Sequence, residues 1–380
     1  MAFALWTGAL GGAETHTRRL CKALRDRHDI DAAVLFLRTG EPLSAALDAD
    51  GIPWTCASVG TAARSLLRPD GLTGSLRKLH PAVVITTEYG LELPALLRSG
   101  YRGPIVVVEH GGHLNNPVSI RWRRRIAYQL ARRLYHERVT CEVCVSQYMY
   151  GVQQRVPHCS RLIVIPNGVD TEVFSPVADA RPPDDGPLSI VTAGSLRPEK
   201  GFAVLIRAFA VLARESGAAK LTIIGDGPDR EALQELAAAE SVAPSVIFAG
   251  STTTVADLLP RHHVACVPST SRCVESFGLV AAEAQACGLP VVASRRGGLR
   301  EVVKDGQTGM LVPPDRPEPL TDALRRYVQD RSLVRRHGEA AREWALTGLS
   351  LKETARKYAA LLNEVIGGSA GSRGGPSPAS

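Results

Sequence analysis

Short apolar runs alternate with helix-length segments along this whole chain, and this alternation restricts the fold more than any other feature. A buried strand followed by a helix and another buried strand is typical of a parallel sheet with helices on both faces. The predicted strands are residues 2–6, 32–36, 82–86, 105–109, 142–146 and 162–166, then 188–193, 221–224, 245–248, 264–268, 290–293 and 309–312. Helices fit at residues 14–24, 202–215, 229–239 and 279–287. The predicted fold class is α/β, with doubly wound sheets.

A length of 380 residues favours about two domains. Residues 176–187 contain four prolines and three aspartates, a composition typical of an exposed linker. We therefore expect Rossmann-like domains at residues 1–176 and 188–349, with the linker at 177–187. Two such domains would face each other across a cleft, and ligands of these sheets bind beyond the carboxyl ends of the strands. Residues 350–366 have helical periodicity, and the low-complexity tail, residues 367–380, is expected to be disordered.

The amino-acid composition is that of an ordinary globular protein. Hydrophobic residues make up 44% and charged residues 22%, and no segment approaches the ~20 apolar residues of a membrane span. The apolar start of the chain is interpreted as a first core strand rather than a signal peptide, so a cytoplasmic location is expected. The eight cysteines are scattered. Cys141 and Cys144 lie in a strand-like stretch, residues 139–145, where they would point to opposite faces. No second ligand pair accompanies them at zinc spacing, which favours buried structural thiols.

Two carboxylates eight residues apart, Glu275 and Glu283, flank a predicted helix start. Ser276 is expected to act as the N-cap, so that the first-turn amides of Gly278 and Leu279 form an anion site at the positive end of the helix. Glu283 lies four residues after Leu279, on the same face, where it could accept hydrogen bonds from a ribose diol. Glu275, on the other side of the phosphates, would then face a sugar. The spacing predicts a nucleotide-sugar site.

The stretch Glu275-Ser-Phe-Gly-Leu-Val-Ala-Ala-Glu283 resembles the E-x7-E motif of the retaining family 4 glycosyltransferases, which have the GT-B fold. Further strings follow that family's order along most of the chain. They are Gly11-Gly12-Ala13-Glu14, Ile165-Pro166-Asn167-Gly168-Val169-Asp170, Gly194-Ser195-Leu196-Arg197-Pro198-Glu199-Lys200-Gly201, Gly225-Asp226-Gly227-Pro228, Gly288-Leu289-Pro290, Gly297-Gly298 and Asp305-Gly306-Gln307-Thr308-Gly309. The resemblance implies a hexosyltransferase that uses a nucleotide sugar, with UDP-sugars favoured as donors. It also implies a C-terminal helix that crosses back to the first domain.

Arg197 and Lys200 follow a predicted strand, and two cations there can neutralise a leaving diphosphate without a metal ion. The resemblance assigns them that role, and implies that His110 touches the donor sugar and that Glu275 binds sugar hydroxyls rather than acting as a nucleophile. These four residues form the predicted catalytic set. The predicted donor-binding set is Gly11, Gly12, Gly194, Asp226, Gly227, Ser276, Phe277, Gly278, Leu279 and Glu283.

No metal or other cofactor is expected beside the nucleotide-sugar co-substrate. A metal-dependent glycosyltransferase of the GT-A class would hold its ion with an Asp-x-Asp motif. The two such strings of this chain, Asp29-Ile-Asp31 and Asp48-Ala-Asp50, lie in loop-like contexts of the first domain, and we interpret them as solvated acids.

Two hypotheses remain open for the acceptor. Glu14, Glu88 and Glu109, with Glu92, could form an acidic rim that binds a small cationic acceptor such as an aminocyclitol of antibiotic biosynthesis. Alternatively, the basic segment from Arg121 to Arg133 could be a peripheral membrane contact that serves a lipid or glycan acceptor. That segment supplies much of the formal charge of +7, and a solvated helix face is the favoured interpretation of it. Nucleic acid is not an expected partner.

Two rival activities share the two-domain pattern. A nucleotide-sugar 2-epimerase would turn over its donor without an acceptor, and a binding subunit would hold the donor without turnover. The intact set of Arg197, Lys200, Glu275 and Glu283 argues against the binding subunit.

Overall fold

A computed structural model describes residues 1–5, 11–37, 43–57, 70–87, 92–111, 122–178, 180–217, 219–252, 254–273 and 275–371. The chain divides into two compact units. Among the described residues, the first unit contains everything up to Asn167 together with the residues from Leu351 onward, and the second runs from Gly168 to Ser350. Each unit is built on one parallel sheet.

The first unit has a seven-stranded sheet in the order β3-β2-β1-β4-β5-β6-β7, and all of its strand pairs are parallel. The strands are β1 Ala2–Leu5, β2 Ala33–Phe36, β3 Trp54–Cys56, β4 Val84–Thr87, β5 Ile105–Glu109, β6 Cys141–Cys144 and β7 Leu162–Val164. The helices before β7 are α1 Gly12–His28, α2 Leu43–Ala49, α3 Asp70–Leu79, α4 Glu92–Arg98, α5 Trp122–Tyr135 and α6 Gln147–Gln153. Since helices cover a parallel sheet on both faces, β5 and β6 are buried along their whole length.

The second unit has a six-stranded parallel sheet in the order β10-β9-β8-β11-β12-β13. Its strands are β8 Leu188–Ala193, β9 Ala219–Ile224, β10 Val246–Gly250, β11 Val264–Val267, β12 Val291–Ser294 and β13 Gly309–Val312. Its helices are α7 Phe202–Ser216, α8 Arg230–Ala239, α9 Val255–Leu258, α10 Leu279–Ala286, α11 Leu299–Val302, α12 Pro317–Gln329 and α13 Arg331–Gly348. Both strand orders reverse direction after a central strand, β1 or β8, which is the doubly wound pattern.

The strands predicted from the sequence correspond to all but one of the observed strands. The bounds of β5, β8 and β13 match the expectation. The missed strand is β3, at the sheet edge next to β2. Its three residues are exposed or half-buried, so they do not form the apolar run that marks a buried strand.

The Pro-rich segment at 177–187 was expected to be an exposed linker between the two domains, but it does not connect the two units. It lies inside the second unit and is held there by hydrogen bonds. Arg181 donates to the Gly288 carbonyl at 2.7 Å, and Arg331 donates to the Gly186 carbonyl at 2.7 Å. The chain passes from the first unit to the second after Asn167 and returns after Ser350.

The last helix, α14 Leu351–Gly371, belongs to the first unit and packs against α1. It continues past Ile366, where the sequence suggested that order ends. Glu364 accepts two hydrogen bonds of 2.7 Å from Arg161, and Thr354 donates to the Pro166 carbonyl at 3.0 Å. The remainder of the expected tail, residues 372–380, lies outside the described residues.

Cys141 and Cys144 are both buried in β6, and both are free thiols. Burial raises the pKa of Cys141 to about 12 and that of Cys144 further. Thiols with such pKa values remain protonated and unreactive at neutral pH, which agrees with a structural role.

A buried charge cluster joins α5 to the sheet of the first unit. The guanidinium of Arg132 donates to Glu109 at 3.1 Å and to the two carboxylate oxygens of Glu142 at 2.8 and 3.0 Å. Arg132 also donates through Nε to the Pro157 carbonyl, and the Tyr128 hydroxyl donates to Glu109 at 3.0 Å. Arg132 and Glu142 are fully buried, and Glu109 is 1% exposed. Burial alone would lower the pKa of Arg132, but Glu109 and Glu142 outweigh burial and raise it.

This cluster overturns two expectations. Glu109 does not belong to an acidic rim, because its carboxylate is sealed against Arg132 and Tyr128. Arg132 does not belong to a solvated or membrane-facing surface, because it points into the sheet. The missed signal was the pair of glutamates inside otherwise apolar strands, since a buried carboxylate requires a buried donor.

Breaking this cluster should destabilise the protein strongly. Arg132→Met would leave Glu109 and Glu142 buried without their cation, at a cost of about 3–5 kcal/mol in the free energy of unfolding. Urea denaturation of the purified variant measures this cost. The matched control is Arg133→Met, one residue along the same helix and exposed, which should leave the free energy of unfolding nearly unchanged. Equal effects of the two substitutions would contradict the assignment.

Candidate active site

The candidate site of the second unit is assembled from loops that leave one edge of its sheet. Strand β8 leads into the loop that carries Arg197 and Lys200, β9 leads into Asp226, and β11 leads into the segment that carries Glu275. Parallel strands deliver all of these loops to the edge where their carboxyl ends lie. The edge therefore brings together Lys200 and Glu275, which are 75 residues apart in the sequence.

Lys200 and Glu275 form an ion pair at this edge. The Nζ of Lys200 donates to Oε1 of Glu275 at 2.5 Å, and the Ser269 hydroxyl donates to the same oxygen at 2.9 Å. The Lys200 side chain is 32% exposed and that of Glu275 16%, so the pair is accessible from solvent. Sequence reasoning did not identify Ser269, although its position just after a buried strand was a usable signal.

The pair fixes the charge state of both residues. Burial alone would lower the pKa of Lys200, but Glu275 outweighs burial and raises it. Burial alone would raise the pKa of Glu275, but Lys200 and Ser269 outweigh burial and lower it. Both side chains are therefore charged at neutral pH.

Two glycines set the spacing of this pair. Gly201, at φ 74°, follows Lys200, and a Cβ there would lie 2.0 Å from the Pro268 carbonyl oxygen. Gly298 approaches the chain just after Glu275, where a Cβ would lie 2.3 Å from the Ser276 carbonyl oxygen. The Gly298 N–H donates to the Glu275 carbonyl at 2.7 Å. A Cβ at Gly201 would push the Lys200 loop away from Pro268, and a Cβ at Gly298 would push that part of the chain away from the segment that carries Glu275.

Helix α10 begins differently from the expectation, because Ser276 is not its N-cap. The residue before the helix is Gly278, whose left-handed conformation at φ 98° turns the chain into Leu279 without a side-chain cap. The first helical hydrogen bond runs from the Ala282 N–H to the Gly278 carbonyl, so the first-turn N–H groups have no partner inside the helix. The predicted anion-binding end of the helix keeps its geometry without the predicted serine cap.

Phe277 and Glu283 are placed differently relative to solvent. The Phe277 side chain is 4% exposed, so only its backbone is available to a ligand. Glu283 is half-buried on α10, one turn beyond Leu279, whereas its neighbours Ala282 and Ala284 are buried. Glu283 is therefore the residue of this turn whose carboxylate is accessible to a ligand.

Asp226 has a structural task in its own turn. Its carboxylate accepts from the Gly227 N–H at 2.7 Å, and its carbonyl accepts from the Leu196 N–H at 2.9 Å. A Cβ on Gly227 would lie 2.5 Å from the Leu196 carbonyl oxygen, so this turn packs directly on the loop that carries Arg197. Gly194 begins that loop in a positive-φ conformation. These contacts show that Asp226 holds its own turn against the loop that carries Arg197.

Arg197 is exposed, and among the described residues it makes no side-chain hydrogen bond or ion pair. It precedes the short helical turn that ends at Lys200. The loop thus presents one cation already paired with a carboxylate and one cation available to a ligand.

In the first unit, Gly11 is the N-cap of α1 and Gly12 is the first residue of that helix. The Glu14 carboxylate folds back over this start, because a Cβ on Gly11 would lie 2.3 Å from Glu14 Oε2. A carboxylate at a helix N-terminus is favourable, and here it occupies the position where an anion would bind.

His110 directly follows β5, next to the buried Glu109. His16 on α1, which interacts electrostatically with His110, is 4% exposed. Burial, with smaller contributions from His110 and Arg19, lowers the pKa of His16 to about 3, so His16 is neutral at physiological pH. A buried neutral imidazole beside His110 was not anticipated, although a histidine among the apolar positions of α1 was a visible signal.

The expected acidic rim is largely lost. Glu109 is buried in the Arg132 cluster, and Glu88 lies outside the described residues. Glu92 begins α4, but its side chain is not among those described. Only Glu14 remains of the four carboxylates, so the described residues do not form an acidic rim.

Neither a metal-binding cluster nor a membrane-spanning helix is present within the described ranges. Those residues contain no group of three His, Cys, Asp or Glu side chains that could hold a metal ion. Asp48 accepts from the Trp54 indole at 2.7 Å, and Asp50 pairs with Arg18 at 2.8 Å. No helix in that part of the chain is both long enough and apolar enough to cross a membrane.

Comparisons with known families match both halves of the chain. The family described as "Glycosyl transferases group 1" matches residues 178–344, and "Glycosyltransferase Family 4" matches residues 10–173. The chain is 32% identical over 306 residues to a glycogen synthase of Mycobacterium tuberculosis. The aligned residues cover 77% of this chain and 71% of that protein.

Two further proteins are similar. The GDP-mannose-dependent alpha-(1-6)-phosphatidylinositol monomannoside mannosyltransferase of Mycolicibacterium smegmatis is 37% identical over 214 residues, 52% of this chain and 55% of that protein. The chain thus spans about half the length of the mannosyltransferases it matches. The solved structure of Anabaena HepE with UDP-glucose superposes on this chain with a TM-score of 0.81 at 21% sequence identity. The superposition covers 96% of this chain and 99% of the HepE chain. At this identity the structure shows a shared GT-B fold.

The Lys200–Glu275 pair should contribute measurably to stability. A double-mutant cycle with Lys200→Met and Glu275→Gln should give a coupling of about 1–3 kcal/mol at pH 7 by urea denaturation. Because the folded pKa of Glu275 is lowered, its contribution is present above the unfolded pKa of about 4.3 and is lost as the pH falls through the folded pKa. Because that of Lys200 is raised, its contribution is present below about 10.4 and is lost as the pH rises through the folded pKa.

The control cycle is the exposed pair Glu353 and Arg356, whose charged atoms are 2.7 Å apart. Solvent screens this pair, so its coupling should be much smaller although its distance is similar. Equal couplings for the two pairs would show that the partial burial of Lys200 and Glu275 has no energetic effect.

Proposed function

The chain belongs to the glycosyl transferases group 1 family, and from that premise we propose that it transfers a sugar from a nucleoside-diphosphate sugar to a hydroxyl group of an acceptor. The proposed reaction retains the anomeric configuration and needs no metal ion or other cofactor. The observation that carries the proposal is the pairing of Lys200 with Glu275 at 2.5 Å, next to the exposed Arg197. This arrangement offers cations for a diphosphate and a carboxylate for a sugar at the same sheet edge.

The proposed chemistry follows from how charge moves. As the bond between the anomeric carbon and the diphosphate oxygen breaks, negative charge grows on the diphosphate, and Arg197, Lys200 and the first-turn N–H groups of α10 stabilise it. The acceptor oxygen forms its bond to the anomeric carbon on the same face of the sugar. Its proton passes to the oxygen of the leaving diphosphate, which balances the step without a separate base.

Glu275 is proposed to hold the sugar rather than to attack it. Its Oε1 already accepts hydrogen bonds from Lys200 and Ser269, which reduces its basicity. Its Oε2 has no hydrogen-bond partner among the described residues, so that oxygen can accept from a sugar hydroxyl. His110 is proposed to contact the same sugar on the strength of the family resemblance, and Glu283 to accept from the ribose.

The donor is proposed as a nucleoside-diphosphate sugar, with UDP-sugars to be tested first and GDP-mannose second. HepE, which shares the fold, was solved with UDP-glucose, while the mannosyltransferase relative is named for GDP-mannose. The acceptor is proposed as a hydroxyl compound without a cationic group, because the burial of Glu109 removes support from the aminocyclitol hypothesis and its link to antibiotic biosynthesis. A lipid or glycan acceptor at a membrane is the second candidate, favoured by the exposed face of α5 described below.

The proposal is tested by incubating the purified chain with a panel of UDP- and GDP-sugars and hydroxyl acceptors in excess EDTA. We expect transfer to persist, because side-chain cations replace the metal, and proton NMR of the fresh product should show the anomeric configuration of the donor. Activity that requires added magnesium or manganese, or an inverted linkage, would contradict the proposal. Donor turnover to its 2-epimer without acceptor would identify an epimerase, and donor binding without turnover would identify a binding subunit.

Removing Lys200 should slow the chemical step. Lys200→Ala deletes a contact that strengthens as the diphosphate leaves, at a cost of about 2–4 kcal/mol in the barrier, or roughly 30- to 1,000-fold in kcat. Steady-state kinetics with the best donor measures the effect. The control is Lys220→Ala, which removes an exposed lysine of β9 and should leave kcat unchanged.

A second variant separates the two roles of Lys200. If Lys200 served only to neutralise Glu275, adding Glu275→Gln to Lys200→Ala would restore kcat. We expect no restoration, because the lost interaction is with the diphosphate and because Glu275 itself holds the sugar. Near-normal turnover of either variant would refute the assignment of Lys200.

A further inference from the structure

The outward face of α5 is an apolar stripe. Ile126, Leu130 and Leu134 are 56%, 55% and 60% exposed, and they are among the most exposed large hydrophobic side chains of the described residues. Their spacing of four residues aligns them along one side of the helix, over a length of about 12 Å. Three aligned apolar side chains in water are a patch that normally has a partner.

The helix is fixed so that this stripe stays outside. Tyr128 and Arg132 lie on the opposite side of α5 and are 5% and 0% exposed. Turning the helix to bury the stripe would pull Arg132 away from Glu109 and Glu142 and leave two carboxylates buried without a cation. The charge cluster therefore holds the apolar face toward solvent.

The charge of α5 indicates what kind of partner would cover the stripe. Residues 122–135 contain five arginines and no acidic residue. Arg132 is neutralised inside the protein, and Arg133, next to Leu134, is exposed. An apolar stripe on an arginine-rich helix fits a surface that offers negative charge at its boundary and hydrocarbon beneath it, as an anionic bilayer does.

We propose that α5 docks the protein on anionic phospholipid bilayers, with Ile126, Leu130 and Leu134 inserted at the level of the headgroups. A helix with one apolar face lies in the plane of the interface, so this contact requires no membrane span. The inference goes beyond the proposed sugar transfer and does not depend on it, because none of these residues belongs to the donor site.

A second copy of this chain is a poorer occupant of the stripe. Two copies of α5 packed face to face would bring together two arginine-rich helices without any acidic residue to pair with them. The resulting repulsion opposes a symmetric dimer, whereas phospholipid headgroups relieve it.

The test is co-sedimentation of the full chain with two kinds of vesicle, pure phosphatidylcholine and phosphatidylcholine mixed with phosphatidylglycerol. We expect binding to the mixed vesicles that weakens as salt is added. The triple variant Ile126→Ser, Leu130→Ser, Leu134→Ser should lower the partition coefficient at least about tenfold. Arg133→Glu should lower it specifically on the anionic vesicles.

The matched control removes three exposed apolar side chains elsewhere, with Val177→Ser, Ile247→Ser and Leu346→Ser, which are 52%, 54% and 48% exposed in the native chain. It should bind as the native chain does. Circular dichroism confirms that each variant is folded, and because binding is measured without donor or acceptor, the result is independent of catalysis.

Three outcomes would overturn the proposal. The first is a native chain that stays in the supernatant with both kinds of vesicle. The second is equal binding to neutral and anionic vesicles. The third is a dimer in analytical ultracentrifugation that the triple variant converts to monomer without any vesicle binding, which would assign the stripe to a second copy.

Discussion

Every hydrogen-bonded strand pair of both sheets is parallel, and most of what this protein can do depends on that constraint. Parallel strands need crossover connections, so each sheet is covered by helices and all of its strands end at one edge. In the second unit that edge brings Lys200, from the loop after β8, within 2.5 Å of Glu275, from the segment after β11. The loops that meet there approach so closely that Gly201 and Gly298 have no room for a Cβ. The parallel arrangement of the strands therefore determines both the architecture of the sheet and the position of the candidate site.

Two ion pairs with similar distances have different consequences because they differ in exposure. Arg132 is sealed between Glu109 and Glu142, where it fixes the position of a helix and has no access to a ligand. Lys200 is 32% exposed in its pair with Glu275, so it is accessible to the diphosphate of the proposed donor. A cation that is already held in place loses little conformational entropy when the ligand binds, which is the advantage of preorganisation in a phosphate site.

Helix α5 shows how one element can serve the fold and the surface at once. Its inner side anchors the helix through Tyr128 and Arg132, and its outer side exposes Ile126, Leu130 and Leu134. A loosely packed helix with this sequence could bury the stripe by rotating, but the charge cluster prevents that rotation. The buried polar contacts thereby determine which surface is available to a partner, as well as contributing to specificity of packing.

The sequence by itself determined the fold class and nearly all the strands, because buried parallel strands are mostly apolar. Its glycines also marked close backbone approaches, as at Gly201 and Gly298. It did not reveal β3, whose half-exposed residues carry no apolar pattern, or the start of α10, where the backbone of Gly278 replaces the expected Ser276 cap. Only the tertiary structure decided that Glu109 and Arg132 neutralise each other inside the protein. The physical reason is that local periodicity specifies which residues share a face of an element, whereas the partner of a charged side chain depends on which other element packs against that face.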